Sequence, residues 1–266
     1  MHFVYSEKIC CEARYRYIYF STDKANACSR SREEMMTAIL GQGIYTIREA
    51  SSLVQLPYKR VSRWVKGYSY TLEGDNRRKK APSVLNVDIP VIDGRFAVSF
   101  LNVIELLFVK KFLGMGVSLK TIRIASEVAA EILNNTHPFA FQRFATDNRA
   151  IFLEIEEKTG NKSVIDLAKR QCEIKPFIGQ YLKNVEFDHV TYLANRWRPM
   201  GEDIPIIIDP NIAFGKPVIE NTRIGTNTIF KQYLAERSMP KVADWFDISM
   251  DAVNYAVKYE EEVLKN

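Results

Sequence analysis

The chain has 266 residues, of which 47% are hydrophobic and 26% charged, a composition typical of folded globular proteins that argues against wholesale disorder. No uninterrupted apolar stretch reaches the roughly 18–20 residues of a membrane span, and charged residues between Glu7 and Arg16 interrupt any signal-peptide core. The four cysteines and three scattered histidines lack zinc-binding spacing. We therefore expect a cytoplasmic protein without a metal site.

The positive charge is concentrated in one segment. Between Gly41 and Pro82, nine cations stand against three acids, a net charge of +6, whereas the whole chain carries +5. Such a local excess is typical of a module that binds a polyanion, although a solvated charged loop would have the same composition. The pattern around the charge favours the polyanion-binding module.

Two short helices are predicted inside this basic segment. Thr46 and Glu49 have the spacing of a capping box, Pro57 suits the first turn of a second helix, and Gly67 ends it. This is the layout of a helix-turn-helix, whose second helix, Pro57–Lys66, enters the major groove. The candidate DNA-binding residues of this helix are Tyr58, Lys59, Arg60, Ser62, Arg63 and Lys66.

A basic hairpin is predicted directly after the second helix. Tyr68–Leu72 is β-prone, turn residues follow as far as Asn76, and the basic run Arg77, Arg78, Lys79 and Lys80 comes next. Such a wing would contact backbone phosphates and make binding sensitive to salt. Residues 41–98 are therefore predicted to form a winged helix-turn-helix DNA-binding domain.

Residues 99–203 are predicted to form a helical and α+β middle region. The patterns predict helices over Phe100–Phe112, Leu119–Leu133 and Asp166–Ile178, two strands joined by a turn within His137–Ile155, and one strand over Glu186–Ala194. The whole chain is thus expected to be α+β and mainly helical. Neither a nucleotide-binding glycine motif nor a nucleophile paired with a base is evident, so we expect no enzyme, no catalytic residue and no cofactor.

The C-terminal segment, residues 204–266, differs in character. A short buried strand, Ile206–Ile208, precedes three helical stretches, Thr226–Glu236, Met239–Phe246 and Met250–Leu264, with helix-turn-helix spacing. The last helix ends in three glutamates, which phosphate groups would repel. We therefore interpret this segment as a protein-interaction domain.

Several motifs resemble a known family. Ile208-Asp-Pro210, Phe214-Gly-Lys-Pro-Val-Ile219 and Thr222-Arg-Ile224 resemble the domain-of-unknown-function family 433. Tyr45–Tyr68 resembles the MerR-like helix-turn-helix of long antitoxins that carry this C-terminal domain, and Arg196-Trp-Arg-Pro199 is similar to their middle region. The resemblance spans residues 43–263. Two positions depart from the family pattern: Asn221 replaces a glycine but tolerates positive φ, and Gly225 replaces a proline.

The resemblance implies an antitoxin of a type II toxin–antitoxin pair. Such a protein would neutralise a small PIN-domain-type ribonuclease toxin and, as a homodimer, repress their shared promoter. The candidate partner-binding residues are Asp209, Lys216 and Arg223; Arg223 could pair with acids of a toxin or brace a turn, and Asp209 could simply form a turn. The alternative is a stand-alone MerR-like regulator whose middle region senses a small ligand.

The first 40 residues resemble nothing in this family. They contain three of the four cysteines and a cluster of aromatic residues without a clear period. We hypothesise that translation starts at Met35 or Met36, the alternative being a genuine arm that packs on the body or reaches DNA.

Overall fold

The computed structural model describes residues 43–71, 77–91, 94–160 and 171–265. Three expectations lie outside the described residues. These are the nature of the extension 1–40 with its start at Met35 or Met36, the wing turn at 72–76, and the first part of the helix predicted over Asp166–Ile178.

The N-terminal part consists of a helix-turn-helix and two small sheets. Its elements are β1 (Ile44–Thr46), α1 (Ile47–Leu53), α2 (Tyr58–Lys66), β2 (Tyr68–Thr71), β3 (Arg78–Ala81) and β4 (Ala97–Ser99). β1 pairs antiparallel with β4, and β2 with β3. The predicted capping box is present: the Thr46 amide donates to Glu49 Oε2 (2.8 Å), and the Glu49 amide donates to Thr46 Oγ1 (3.2 Å). Pro57 is the N-cap of α2 rather than its first helical residue.

The middle part is mainly helical. Its elements are α3 (Phe100–Gly114), α4 (Leu119–Leu133), a 3₁₀ turn (Pro138–Ala140), α5 (Gln142–Thr159), α6 (Gln171–Asn184), β5 (Val185–Phe187) and β6 (Ala194–Trp197). The predicted helices at 100–112 and 119–133 are confirmed. α3 is largely buried, and its phenylalanines Phe108 and Phe112 contact Phe139 of the 3₁₀ turn.

The two strands predicted within His137–Ile155 are wrong, because this segment forms the 3₁₀ turn and most of α5. Phe144, Ile151 and Ile155 are buried at helical spacing, so packing of one helix face outweighs the β propensity of the aromatic and branched residues. The turn expected around Asp147 is present only as a kink at that residue, with φ −110° and ψ 20°.

The single strand predicted over Glu186–Ala194 is also wrong, because the segment folds into the β5–β6 hairpin. Asp188 causes the reversal. Its Oδ1 accepts hydrogen bonds from the amides of Val190 (3.0 Å) and Thr191 (2.7 Å), which closes a turn that a continuous strand would not allow.

The C-terminal part contains the predicted strand and three helices in the predicted order, together with a second strand that was not predicted. These are β7 (Ile206–Ile207), β8 (Val218–Ile219), α7 (Thr226–Glu236), α8 (Met239–Phe246) and α9 (Met250–Leu264), so the three helices have their predicted bounds. β7 pairs antiparallel with β8.

Two buried hydrophobic clusters support this α+β, mainly helical fold. The larger runs from Tyr45 to Ile208 and joins the helix-turn-helix to the middle helices, and the smaller lies between Ile206 and Tyr259. All the described residues belong to one compact unit. The domain boundaries at 98/99 and 203/204 stay predictions.

Candidate nucleic-acid and partner interfaces

The second helix of the helix-turn-helix, α2, has one buried and one cationic face. Val61, Trp64 and Val65 are buried in the main core. Five of the six candidate residues are exposed and Ser62 is half-buried: Tyr58, Lys59, Arg60, Arg63 and Lys66 form the exposed set. A buried apolar face thus fixes the helix and leaves its cations toward solvent.

Gly67 sets the angle between α2 and the wing. It has φ +71°, and a Cβ there would lie 2.5 Å from the carbonyl oxygen of Ala81 at the end of β3. Because any other side chain would clash with this backbone, glycine is required for the close return of the hairpin. The predicted termination of the helix at Gly67 is confirmed.

The wing presents its basic residues on β3 and just before it. Arg78, Lys79 and Lys80 lie opposite Thr71, Tyr70 and Ser69 of β2. Together with Arg77 they are exposed. The antiparallel pairing holds three consecutive cations on an extended backbone, and Arg77 directly precedes them.

Aromatic rings orient some of the cations. The guanidinium of Arg63 lies 5.7 Å from the centroid of the Tyr68 ring, and the ammonium of Lys66 lies 4.8 Å from that of Phe96. An open cleft of about 570 Å³ lies between α2, β2 and the corner between α3 and α4, and cations of α2 line it. Its lining residues are Pro57, Lys59, Arg60, Arg63, Trp64, Tyr68, Leu113 and Leu119.

A buried ionic network joins the segment after β3 to the middle helices. His137 Nε2 is 2.5 Å from Asp88 Oδ1, its Nδ1 is 3.1 Å from Glu105 Oε2, and Ser99 Oγ donates to Asp88 Oδ2 at 2.6 Å. Burial disfavours the imidazolium, but the hydrogen bonds with both carboxylates outweigh it and raise the pKa of His137 to about 10. The segment after the wing is thereby fixed to α3 and to the 3₁₀ turn.

The two carboxylates of this network differ in environment. Burial raises the pKa of Glu105, whose side chain is 2% exposed, in spite of its contact with His137. For Asp88, burial is opposed by the hydrogen bonds with His137 and Ser99, which together lower its pKa. Sequence spacing gave no sign of this triad, because its members come from three separate segments.

A second ionic network joins the β5–β6 hairpin to the C-terminal part. Arg196 contacts Glu186 (3.0 Å) and Asp209 (3.1 Å), and Arg198 contacts Glu186 (3.1 Å) and Glu220 (2.5 Å). Backbone hydrogen bonds in both directions between Trp197 and Ile208 (2.8 and 2.9 Å) lie beside these ion pairs. The motif Arg196-Trp-Arg-Pro199 therefore serves as the connection between the two parts.

The three candidate partner-binding residues differ in accessibility. Asp209 is only 6% exposed; besides its contact with Arg196, it accepts a hydrogen bond from the Asn211 amide at 2.8 Å. Lys216 and Arg223 are exposed, and within the described residues neither side chain forms an ion pair or hydrogen bond. The structure thus gives Asp209 an internal role and leaves the two cations available.

The two positions that depart from the family pattern adopt compatible backbones. Asn221 has φ +62°, so the predicted tolerance of asparagine for this turn is confirmed. Gly225 is the N-cap of α7 with φ −68° and ψ 137°, values that proline also adopts. The entry to α7 is therefore intact without the proline ring.

The acidic end of α9 is only partly a surface feature. Glu260 is 7% exposed and accepts a hydrogen bond from Thr226 Oγ1 at 2.5 Å, which holds α9 against the start of α7. Glu261 and Glu262 are exposed. Of the three glutamates, only Glu261 and Glu262 therefore add to the surface charge at this end of the helix.

Two other features are absent from the described residues. Within the described ranges, no group of three or more histidine, cysteine, aspartate or glutamate side chains is arranged to hold a metal ion. Likewise, no described helix is both long and apolar enough to cross a membrane.

Comparison with known proteins supports part of the resemblance. Residues 206–259 match the family described as protein of unknown function (DUF433). The chain is 23% identical over 227 residues to "Putative antitoxin VapB45" of Mycobacterium tuberculosis (strain ATCC 25618 / H37Rv), covering 80% of this chain and 92% of that protein. The crystal structure of Rv2018 from Mycobacterium tuberculosis has a similar fold, with TM-score 0.58, 19% identity and coverage of 80% of this chain and 96% of that chain. The predicted similarity to family 433 is thus confirmed for the C-terminal segment, and most of the chain is similar to a protein with an antitoxin name.

Proposed function

We propose that this chain is the antitoxin of a type II toxin–antitoxin pair, which binds a PIN-like ribonuclease toxin through its C-terminal part and represses their shared promoter through its N-terminal part. The similarity to a protein named as an antitoxin supports the first half. The observation that carries the second half is the exposed basic surface of α2 and the wing, held on a rigid core. The role is recognition rather than catalysis.

General rules of DNA recognition support the proposal that this surface binds DNA. In a helix-turn-helix, side chains of the second helix read base edges in the major groove, and arginine is the commonest specific reader. Arg63 is exposed on α2 and oriented by the Tyr68 ring. The cations at 77–80 would contact phosphates and supply salt-sensitive affinity. A homodimer would place two α2 helices in successive major grooves.

Toxin binding is assigned to the exposed cations of the C-terminal part. A PIN-like nuclease has an acidic pocket, to which Lys216 and Arg223 are complementary in charge. Asp209 would act indirectly, because its ion pair with Arg196 shapes the loop before Lys216. With this function, the protein would act in the cytoplasm, where its promoter and its toxin are found.

The second candidate, a stand-alone regulator, has one supporting observation. A cleft of about 440 Å³ beside the buried ionic network has a mixed lining, with polar residues such as Asp88 and His137 and apolar residues such as Phe100, which suits a small ligand with polar and apolar parts. This regulator would use the same DNA-binding surface but would have no toxin.

Co-expression with the product of the adjacent small reading frame separates the two candidates. The chain is tagged and purified, and the molecular masses of the proteins that elute are measured. An antitoxin yields a stoichiometric small partner that only denaturant releases. A chain that elutes alone and still retards its own promoter DNA is a stand-alone regulator.

A further inference from the structure

An exposed phenylalanine lies on a left-handed backbone in the C-terminal loop. Ala213, Phe214 and Gly215 have φ values of +48°, +57° and +79°. Residues other than glycine rarely adopt such values. The Phe214 ring is 77% exposed and belongs to neither buried cluster. Burial of the ring within this chain therefore does not offset the unfavourable free energy of the left-handed backbone conformation at Phe214.

Several contacts hold this unfavourable conformation in place. The Tyr45 hydroxyl donates to the Gly215 carbonyl oxygen (2.7 Å) across 170 residues of sequence, in a buried position. A Cβ at Gly215 would collide with the hydroxyl oxygen of Tyr45, so only glycine fits. The Ile212 amide donates to the Asp209 carbonyl oxygen (3.0 Å), and the Gly215 amide to that of Ile212 (2.9 Å). The loop is thus fixed from both sides.

In the segment around the loop, the acidic side chains form ion pairs, whereas the basic side chains form none within the described residues. Both acids of the segment from β7 to the start of α7, Asp209 and Glu220, form ion pairs with Arg196 and Arg198. Both of its cations, Lys216 and Arg223, are exposed and lack an ion pair within the described part of the chain. The exposed side chains of this segment therefore include two cations without an ion pair and one aromatic ring.

We propose that Phe214 is the apolar anchor by which the C-terminal part holds an acidic protein partner, with the ring in an apolar pocket and Lys216 and Arg223 on the acids around it. Aromatic residues and arginine are enriched at the centres of protein interfaces, where a few side chains carry most of the binding energy. A loop whose backbone is fixed before binding loses little backbone freedom on association. This inference rests on the proposed function, because the partner is the toxin assigned there.

Two substitutions of Phe214 separate anchoring from a structural role. Phe214→Ala removes the ring but keeps a side chain at positive φ, whereas Phe214→Gly also removes the backbone strain. The matched control is Trp245→Ala, which deletes another exposed aromatic ring, on α8, that is 70% exposed. Affinity is measured with the purified product of the adjacent small reading frame as the probe, and thermal midpoints are recorded for every variant.

The expected result is that both Phe214 variants bind the probe at least about 30-fold more weakly than the wild type, while Trp245→Ala binds like the wild type. The midpoint of Phe214→Gly is expected to equal or exceed that of the wild type. Wild-type affinity in Phe214→Ala, or a lower midpoint for Phe214→Gly, overturns the anchor and leaves the proposed function standing. A wild-type chain that does not bind the probe overturns both.

Discussion

Removal of His137 should expose the energetic role of the buried ionic network. In His137→Gln, Glu105 keeps a buried carboxylate without a cationic partner, and breaking such a pair typically costs about 3–5 kcal/mol. The rise of the His137 pKa from 6.5 to about 10 corresponds to a loss of unfolding free energy of the same order, since each pKa unit corresponds to roughly 1.4 kcal/mol. Urea unfolding at pH 7 measures the loss. The control, His189→Gln at an exposed position, should stay within about 0.5 kcal/mol of the wild type.

The pH dependence tests the same argument independently. A raised pKa in the folded state means that the stabilisation is complete below 6.5 and is lost as pH rises through about 10. Between pH 7 and 9.5, the folded chain therefore holds one proton more than the unfolded chain, and the free energy of unfolding should fall by about 1.4 kcal/mol per pH unit.

The double variant Glu105→Gln/His137→Gln lacks both titrating groups of this contact. Its free energy of unfolding should lack this slope, so the difference between wild type and double variant should shrink steadily as pH rises. A difference that stays constant from pH 7 to 9.5 would refute a protonated imidazole between the two carboxylates.

Four other substitutions have defined outcomes. Gly225→Pro should raise the free energy of unfolding by about 0.4–1 kcal/mol in urea titrations, because its φ of −68° suits proline and its amide donates no hydrogen bond within the described residues. Tyr45→Phe should lower it by about 1–3 kcal/mol, because the buried carbonyl of Gly215 loses its donor. Arg63→Ala should weaken promoter binding by about 1–3 kcal/mol and relax sequence preference, measured by fluorescence anisotropy. Lys79→Ala should weaken all duplexes alike and reduce the slope of log affinity against log salt by about 1.

Controls separate these effects from general damage. Lys241→Ala removes an exposed cation of the C-terminal part and should leave DNA affinity and its salt slope unchanged. Unchanged affinity and sequence preference in Arg63→Ala would show that α2 is not the recognition helix. A destabilised Gly225→Pro variant would mean that the entry to α7 needs its amide, and an unaffected Tyr45→Phe would remove the hydroxyl from the account of the loop.

Local signals were sufficient for the elements whose faces and ends are encoded nearby. The capping box at Thr46, the stop at Gly67 and the three C-terminal helices each depend on residues a few positions apart, and all are present in the structure. The prediction for residues 137–155 was wrong because it followed the β propensity of the residues and not their helical spacing. Phe144, Ile151 and Ile155 already had the period of one helix face, and the core that they fill decided the outcome.

The contacts that shape the candidate sites could not be predicted from spacing. Asp88, Glu105 and His137 meet through packing of segments that are distant in sequence, as do Tyr45 and Gly215. The Asp188 turn, in contrast, had a local signal: an aspartate followed three residues later by a threonine that it caps.

Native mass spectrometry of the co-purified pair mixed with its promoter duplex tests the central claim most directly, because that claim assigns one chain to two partners at once. We expect a species whose mass contains this chain, a small partner in fixed ratio and the duplex. A spectrum in which the chain binds the duplex but no small protein would contradict the antitoxin function, and one without the duplex would contradict the DNA-binding surface.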